Sequence, residues 1–177
     1  MKIGIDVSQL AYENTGVANY LSNLVEYLIQ TDKKNDYVLF FSSLRNRLKT
    51  ENLKLNNASN VTIKQFKVPP TVLDLLWNKL HVLPIETFIG PIDLFITSDW
   101  TEPPVKSAKK ATILYDLIVY KYPEETDKKI VETQKRKLKW VKREADKIFC
   151  ISKSTADDAQ KILGIEKDRL SVAYPGM

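Results

Sequence analysis

Apolar and polar positions along this chain change period several times, and each change predicts an element. Residues 2–7, Lys-Ile-Gly-Ile-Asp-Val, alternate with a period of two and predict a strand beginning almost at the amino terminus. The period then lengthens. Val17, Tyr20, Leu21, Leu24, Val25 and Leu28 fall on one face of a helix, which the polar segment Thr31 to Asp36 ends. Further strands are predicted at Tyr37 to Phe41, Val61 to Phe66, Ile92 to Thr97 and Ala111 to Tyr115, with helices at about Thr71 to Leu83 and Asp127 to Asp146.

The segment 145–176 reads as a complete strand-helix-strand unit. Ile148 to Ile151 is a continuous apolar run of the kind buried on both faces of a parallel sheet, and Leu170 to Tyr174 predicts a second strand. Between them, Ser154-x-x-Asp157 predicts a helix start and Gly164 a stop. Strands alternating with helices predict an α/β domain, a mostly parallel sheet covered on both faces. In such an open sheet the ligand crevice lies beyond the carboxyl ends of the strands, where the connections change direction. That rule selects four loops: Ser8 to Gly16, Ser98 to Pro104, Asp116 to Glu124, and Ser152 to Ser154.

Composition narrows the chemistry. A chain of 177 residues, 44% apolar and with only five glycines, fits one domain spanning 1–177. No apolar run approaches the roughly 20 residues that cross a bilayer, and Asp6 interrupts the start before a signal-peptide core could form. The expected compartment is the cytoplasm. Cys150 is the only cysteine, which excludes intramolecular disulfides and cysteine metal clusters, and its apolar neighbours predict a packing role. His81 is the only histidine, so two-histidine zinc sites are excluded, and its flanking Leu80 and Val82 predict a packing or surface residue. No metal and no cofactor is expected. The net charge of +5 leans towards anionic partners.

Four segments carry candidate chemistry, each with a plain structural reading beside it. The loop Ser8 to Gly16 runs straight into the first helix, so the backbone N–H groups of Thr15 and Gly16 can meet an anion, or Gly16 can be a simple turn residue. Asp116 closes a buried strand ahead of Tyr120, Tyr122 and Pro123, and either orients a polar ligand or caps local backbone donors. The helix near 127–146 carries eight Lys and Arg residues, with Ile130, Gln134, Leu138, Val141 and Ala145 expected towards the sheet. Its charge suits anionic lipid headgroups, or simply a solvated outer face; nucleic acid is disfavoured because no aromatics interleave with the cations. Val72 to Pro84 is apolar nearly all round, which predicts burial, with a membrane interface or an acceptor cleft around Trp77 as the alternatives.

In order and spacing, Met1-Lys-Ile-Gly-Ile-Asp, Thr15-Gly-Val-Ala-Asn-Tyr-Leu, Tyr115-Asp-Leu-Ile-Val-Tyr-Lys-Tyr-Pro, Arg143-Glu-Ala-Asp-Lys-Ile-Phe-Cys-Ile-Ser-Lys-Ser-Thr and Leu163-Gly-Ile-Glu-Lys-Asp-Arg-Leu-Ser-Val-Ala-Tyr-Pro-Gly resemble the N-terminal domain of group 1 (family 4) glycosyltransferases. The resemblance covers the whole chain. It implies a Rossmann-like three-layer α/β/α domain forming the acceptor side of a GT-B fold. A C-terminal domain that holds the nucleotide-sugar donor would follow the terminal Tyr174-Pro-Gly turn and is absent from this sequence. This segment alone is expected to be inactive.

The resemblance further implies retention of configuration, a glycan or lipid-linked acceptor, and a peripheral place at the inner membrane face. Gly16 corresponds to the family glycine whose backbone approaches the donor diphosphate, and Tyr115 and Asp116 to its reaction-centre pair; beside them Thr15 and Lys153 are expected as further donor-phosphate contacts, and Asp99, Tyr122 and Ser152 as acceptor-orienting residues. One position departs from the pattern: Tyr115 stands where the family has a histidine, and a phenol with a pKa near 10 is a poor base at neutral pH. A non-catalytic nucleotide- or glycan-binding module is the alternative.

Overall fold

Tyr37, Leu39 and Phe41 join one apolar cluster and Val38 and Phe40 another, and all five are buried. Their strand, β2 (Asp36–Ser42), therefore separates two apolar layers, as the period of two requires. The computed structural model describes the chain apart from residues 13, 50–52, 54–57, 99 and 177. In chain order the elements are β1 (Lys2–Asp6), α1 (Gly16–Thr31), β2, β3 (Val61–Phe66) and α2, whose α-helical turn Pro70–Leu73 continues as wider π-helical turns over Asp74–Lys79. There follow α3 (Glu86–Ile89), β4 (Leu94–Thr97), β5 (Lys109–Leu114), α4 (Ile118–Lys121), α5 (Lys128–Glu144), β6 (Lys147–Cys150), α6 (Lys153–Leu163) and β7 (Leu170–Val172).

Among the described residues seven strands form one sheet in the order β3-β2-β1-β4-β5-β6-β7, with every neighbouring pair parallel. The protein is a Rossmann-like three-layer α/β/α domain. Leu21, Val25 and Ile29 of α1 pack on one face of the sheet, whereas Leu73 and Trp77 of α2 pack on the other with Val38, Phe40 and Phe95. A third cluster joins α5 and α6 to β6 through Leu138, Val141, Ile148, Ala159 and Leu163. Cys150 lies in that cluster, and burial pushes its thiol up to about 11. Gly4 marks a close approach in the sheet: a Cβ there would sit 2.7 Å from Phe95 Cδ2 and 2.9 Å from Ile89 Cδ1.

Several expectations are corrected. The helix predicted to run to Leu83 ends at Lys79, and His81 and Leu83 adopt left-handed backbone at φ 54° and 60°. Local side-chain bonds account for the turn: Trp77 Nε1 donates to the Leu83 carbonyl at 2.9 Å, and His81 Nδ1 meets the Trp77 carbonyl at 2.8 Å. Nor is this segment buried all round. Trp77 is enclosed, but Val72, Leu75, Leu80, Val82 and Leu83 face outward, because α2 has the sheet on one side only. In α5 the inward stripe is Val131, Leu138, Val141 and Ala145 with Lys137 among them, and Ile130 is turned out. The last helix begins earlier than predicted, because Ser152 and not Ser154 caps it by accepting the Thr155 N–H at 3.0 Å. Gly164, at φ 64°, closes it as predicted.

Candidate functional site

The chain passes from β1 outward through β2 and β3, then crosses back to lay β4 on the free side of β1. The connections after β1 and β4 thus leave in opposite directions, which opens a crevice at the carboxyl ends of these two strands. Beneath it lie four buried charged residues, Asp6, Glu102, Lys110 and Lys137. Asp6 ends β1, and its Oδ1 accepts the Ser8 N–H at 2.9 Å. Burial raises the Asp6 carboxyl pKa, opposed by the Ser8 hydrogen bonds and the charge of Lys137. Lys137 Nζ donates to the Ser98 carbonyl, and the Ser98 hydroxyl lies 3.2 Å from the Tyr115 hydroxyl. Glu102 sits 3.2 Å from Lys110 Nζ, and its other oxygen accepts from the Thr97 hydroxyl at 2.7 Å. Both carboxylates therefore have cationic neighbours, and the ionic floor of the crevice is balanced.

Above this floor, Trp100 borders three adjoining grooves. The first, of about 240 Å³, has Val17, Tyr115, Asp116, Gln134 and Lys137 in its wall. A second of about 240 Å³ runs between the starts of α2 and α5, past Tyr12, Pro70, Thr71 and Ile130. The third reaches down to Asp6, Ser8, Gln9 and Ser42. The expected position of Ile130 against the sheet is overturned here, since it lines two of these grooves.

The structure brings some expected residues together and separates others. Tyr115 and Asp116 share the first groove with Val17, the residue after Gly16. Gly16 is the first residue of α1, and a Cβ there would meet no atom within 4 Å. Thr15 caps that helix: its Oγ1 accepts the Ala18 N–H at 3.2 Å and donates to the Tyr12 carbonyl at 3.0 Å. Asp116 is exposed, and its Oδ1 accepts the Ile118 N–H at 3.0 Å, the capping role its position allowed. Ser152 and Lys153 stand at the start of α6, outside that groove's wall; Thr155 ties this helix to the Tyr115 carbonyl at 3.1 Å. Tyr122 ends α4 with its side chain exposed and does not line the groove. Asp99 lies outside the described residues.

Three residues of the site were not singled out: Trp100, although the loop Ser98 to Pro104 was; Lys137, which was expected among the cations of the outer face and is buried instead; and Asp6. The pattern held a signal for the second. Lys137 lies three residues after Gln134 and four before Val141, on the inward stripe of α5, where a lysine is out of place unless it meets an acceptor. Among the described residues no group of three His, Cys, Asp or Glu side chains is placed to hold a metal ion, and no helix is long and apolar enough to cross a membrane. No protein-family model matches the chain, and no curated protein matches it.

Proposed function

We propose that this chain is the acceptor-side half of a retaining glycosyltransferase that uses a nucleotide-sugar donor, with a glycan or lipid-linked acceptor in the crevice. One observation carries the reading. The groove at the β1–β4 switch point gathers Tyr115 and Asp116 beside the first turn of α1, where Gly16 lacks a side chain that no packing contact forbids. A helix N-terminus with open space in front of it can receive the diphosphate of a donor held by a second domain, and its dipole favours the developing negative charge. On this reading the departing diphosphate takes the acceptor's proton. The domain then contributes orientation, through Asp116 and Tyr115, and burial from water against Trp100.

A second reading has its own observation. The Tyr115 hydroxyl already lies 3.2 Å from the Ser98 hydroxyl and its ring packs edge-on against Tyr20, as befits a structural residue. A module that binds a nucleotide or glycan without turning it over would keep the same groove.

Sugar transfer from a panel of nucleotide sugars, measured with the protein at its natural length, separates the two readings. The first expects turnover in the wild type and a loss of at least tenfold in Gly16→Val at unchanged stability. Binding without turnover in the wild type assigns the module. Unchanged kinetics in Gly16→Val removes the phosphate role.

A further inference from the structure

We propose that the outer face formed by α2 and α5 is a docking surface for an anionic lipid bilayer. The two helices lie side by side on one face of the sheet. Arg136 bonds Asp74 at 2.9 Å, Trp140 Nε1 donates to the Asn78 carbonyl at 2.8 Å, and His81 meets Glu144 at 2.9 Å. Each helix contributes a different chemistry to the surface they share.

From α2 and the turn after it come Val72, Leu75, Leu80, Val82 and Leu83, between 40% and 59% exposed. Five large aliphatic side chains at the surface within twelve residues make a concentration that scattered surface hydrophobics do not. The tip is also held rigidly. Leu83 takes a left-handed backbone that branched and bulky residues avoid, and the Trp77 Nε1 bond to its carbonyl locks the turn. Val82 and Leu83 are thereby fixed outward, at no further ordering cost on insertion into an apolar phase.

From α5 come the cations. Lys139 Nζ and the Arg143 guanidinium lie 5.9 Å and 5.0 Å from the Trp140 ring centre, and the same ring stacks on His81, the neighbour of Leu80 and Val82. This stack sets the positive charge at the base of the apolar tip, with exposed Lys79 beside Leu80 in the chain. Carboxylates on this face are already matched: Glu144 bonds His81 and Lys110, and Glu132 lies 3.7 Å from Arg136. Apolar prongs ringed by cations suit a bilayer bearing anionic headgroups, where aliphatic groups enter the acyl boundary and Lys and Arg stay among the phosphates. A nucleic acid would use the cations and leave the five aliphatic side chains in water. At its other end the face runs into the groove past Tyr12, Pro70, Thr71 and Ile130, so a lipid-borne molecule could pass from the bilayer to the crevice.

This surface does not rest on the transferase reading, because vesicle binding is scored without sugar transfer. The test is flotation of the intact protein with vesicles of phosphatidylcholine alone or mixed with phosphatidylglycerol. The expected result is binding to the mixed vesicles only, weakening steeply as salt rises. Leu80→Ser with Leu83→Asn, and Lys139→Gln with Arg143→Gln, should each lower the affinity about tenfold or more. Asn favours the left-handed backbone at position 83, so the first variant keeps its fold, which circular dichroism checks. Tyr27→Ser, on exposed α1 across the sheet, should bind as the wild type does. No binding to anionic vesicles overturns the proposal, as does binding that the aliphatic variant leaves unchanged. Two other outcomes also overturn it: loss of self-association as the main effect of the Leu80 and Leu83 changes, which assigns the face to a second copy, and tighter binding to nucleic acid that only the charge variant abolishes.

Discussion

The imidazole of His81 lies flat on the indole of Trp140, ring centres 3.6 Å apart and planes within 7°. This pair fastens the turn after α2 to α5, with Glu144 bonded to the edge of the imidazole and to Lys110 behind it. His81→Ala should lower stability by about 1–2 kcal/mol, combining the lost stack with the lost polar bonds. His81→Phe keeps the stack and should recover part of that loss. Urea denaturation of both variants measures the division, and equal losses would show that the stack contributes nothing.

Glu102 and Lys110 are enclosed together, their charged atoms 3.2 Å apart. Glu102→Leu strands the ammonium with only Glu144 for company and should cost roughly 3–5 kcal/mol. The double variant Glu102→Leu with Lys110→Met removes both charges and should recover most of that stability. A single variant with near wild-type stability in urea would mean that water reaches Lys110.

Two glycines should respond oppositely to the same added methyl. Gly4→Ala drives a Cβ within 3 Å of Phe95 and Ile89 and should destabilise the domain by about 1–3 kcal/mol. Gly16→Ala meets nothing and adds a helix former at the start of α1, so the melting temperature should hold or rise slightly. A fall at Gly16 comparable to that at Gly4 would show that the space before α1 is filled in solution.

Much of the architecture was legible, and the reason lies in which forces act locally. The unbroken apolar runs Tyr37 to Phe41 and Ile148 to Ile151 each report burial on both faces of a sheet, so the strands and their parallel class follow from the pattern alone. The same topology rule selected Ser8 to Gly16, Ser98 to Pro104 and Asp116 to Glu124, which all supply residues to the grooves, but also Ser152 to Ser154, which supply none. The left-handed turn at His81 and Leu83 did not follow from the pattern, since it depends on bonds from the Trp77 ring and backbone that no periodicity encodes. Trp100 stayed hidden for a related reason. Its importance comes from where β4 delivers it, between the starts of α1, α2 and α5.

Acid should loosen the junction between α1 and β2. Asp32, the residue that ends α1, accepts hydrogen bonds from the Asn35 side chain, the Lys34 N–H and the Tyr37 hydroxyl, which together bring its carboxyl from 3.8 down to about 2. A carboxylate with a depressed folded pKa contributes its stability in full above the unfolded value and loses it as pH falls through the folded one. Asp32→Ala should therefore melt below the wild type at neutral pH, with the gap closing between about pH 4 and about pH 2. A gap that persists below pH 2 would assign the difference to packing.

β1 is an interior strand of the sheet and is made before either of its neighbours, β2 and β4. On a ribosome β1 emerges early and can pair with β2 within some forty residues, but its other edge stays bare until Leu94–Thr97 has been synthesised. Throughout that interval a nascent chain carries an unpaired apolar edge, open to wrong pairing with its neighbours on the same message. Four residues of β4, steadied by the reciprocal bonds between Lys2 and Asp93, end that exposure. Synthesis past residue 97 is thus the step at which this half of the sheet becomes safe, and the same closure creates the crevice.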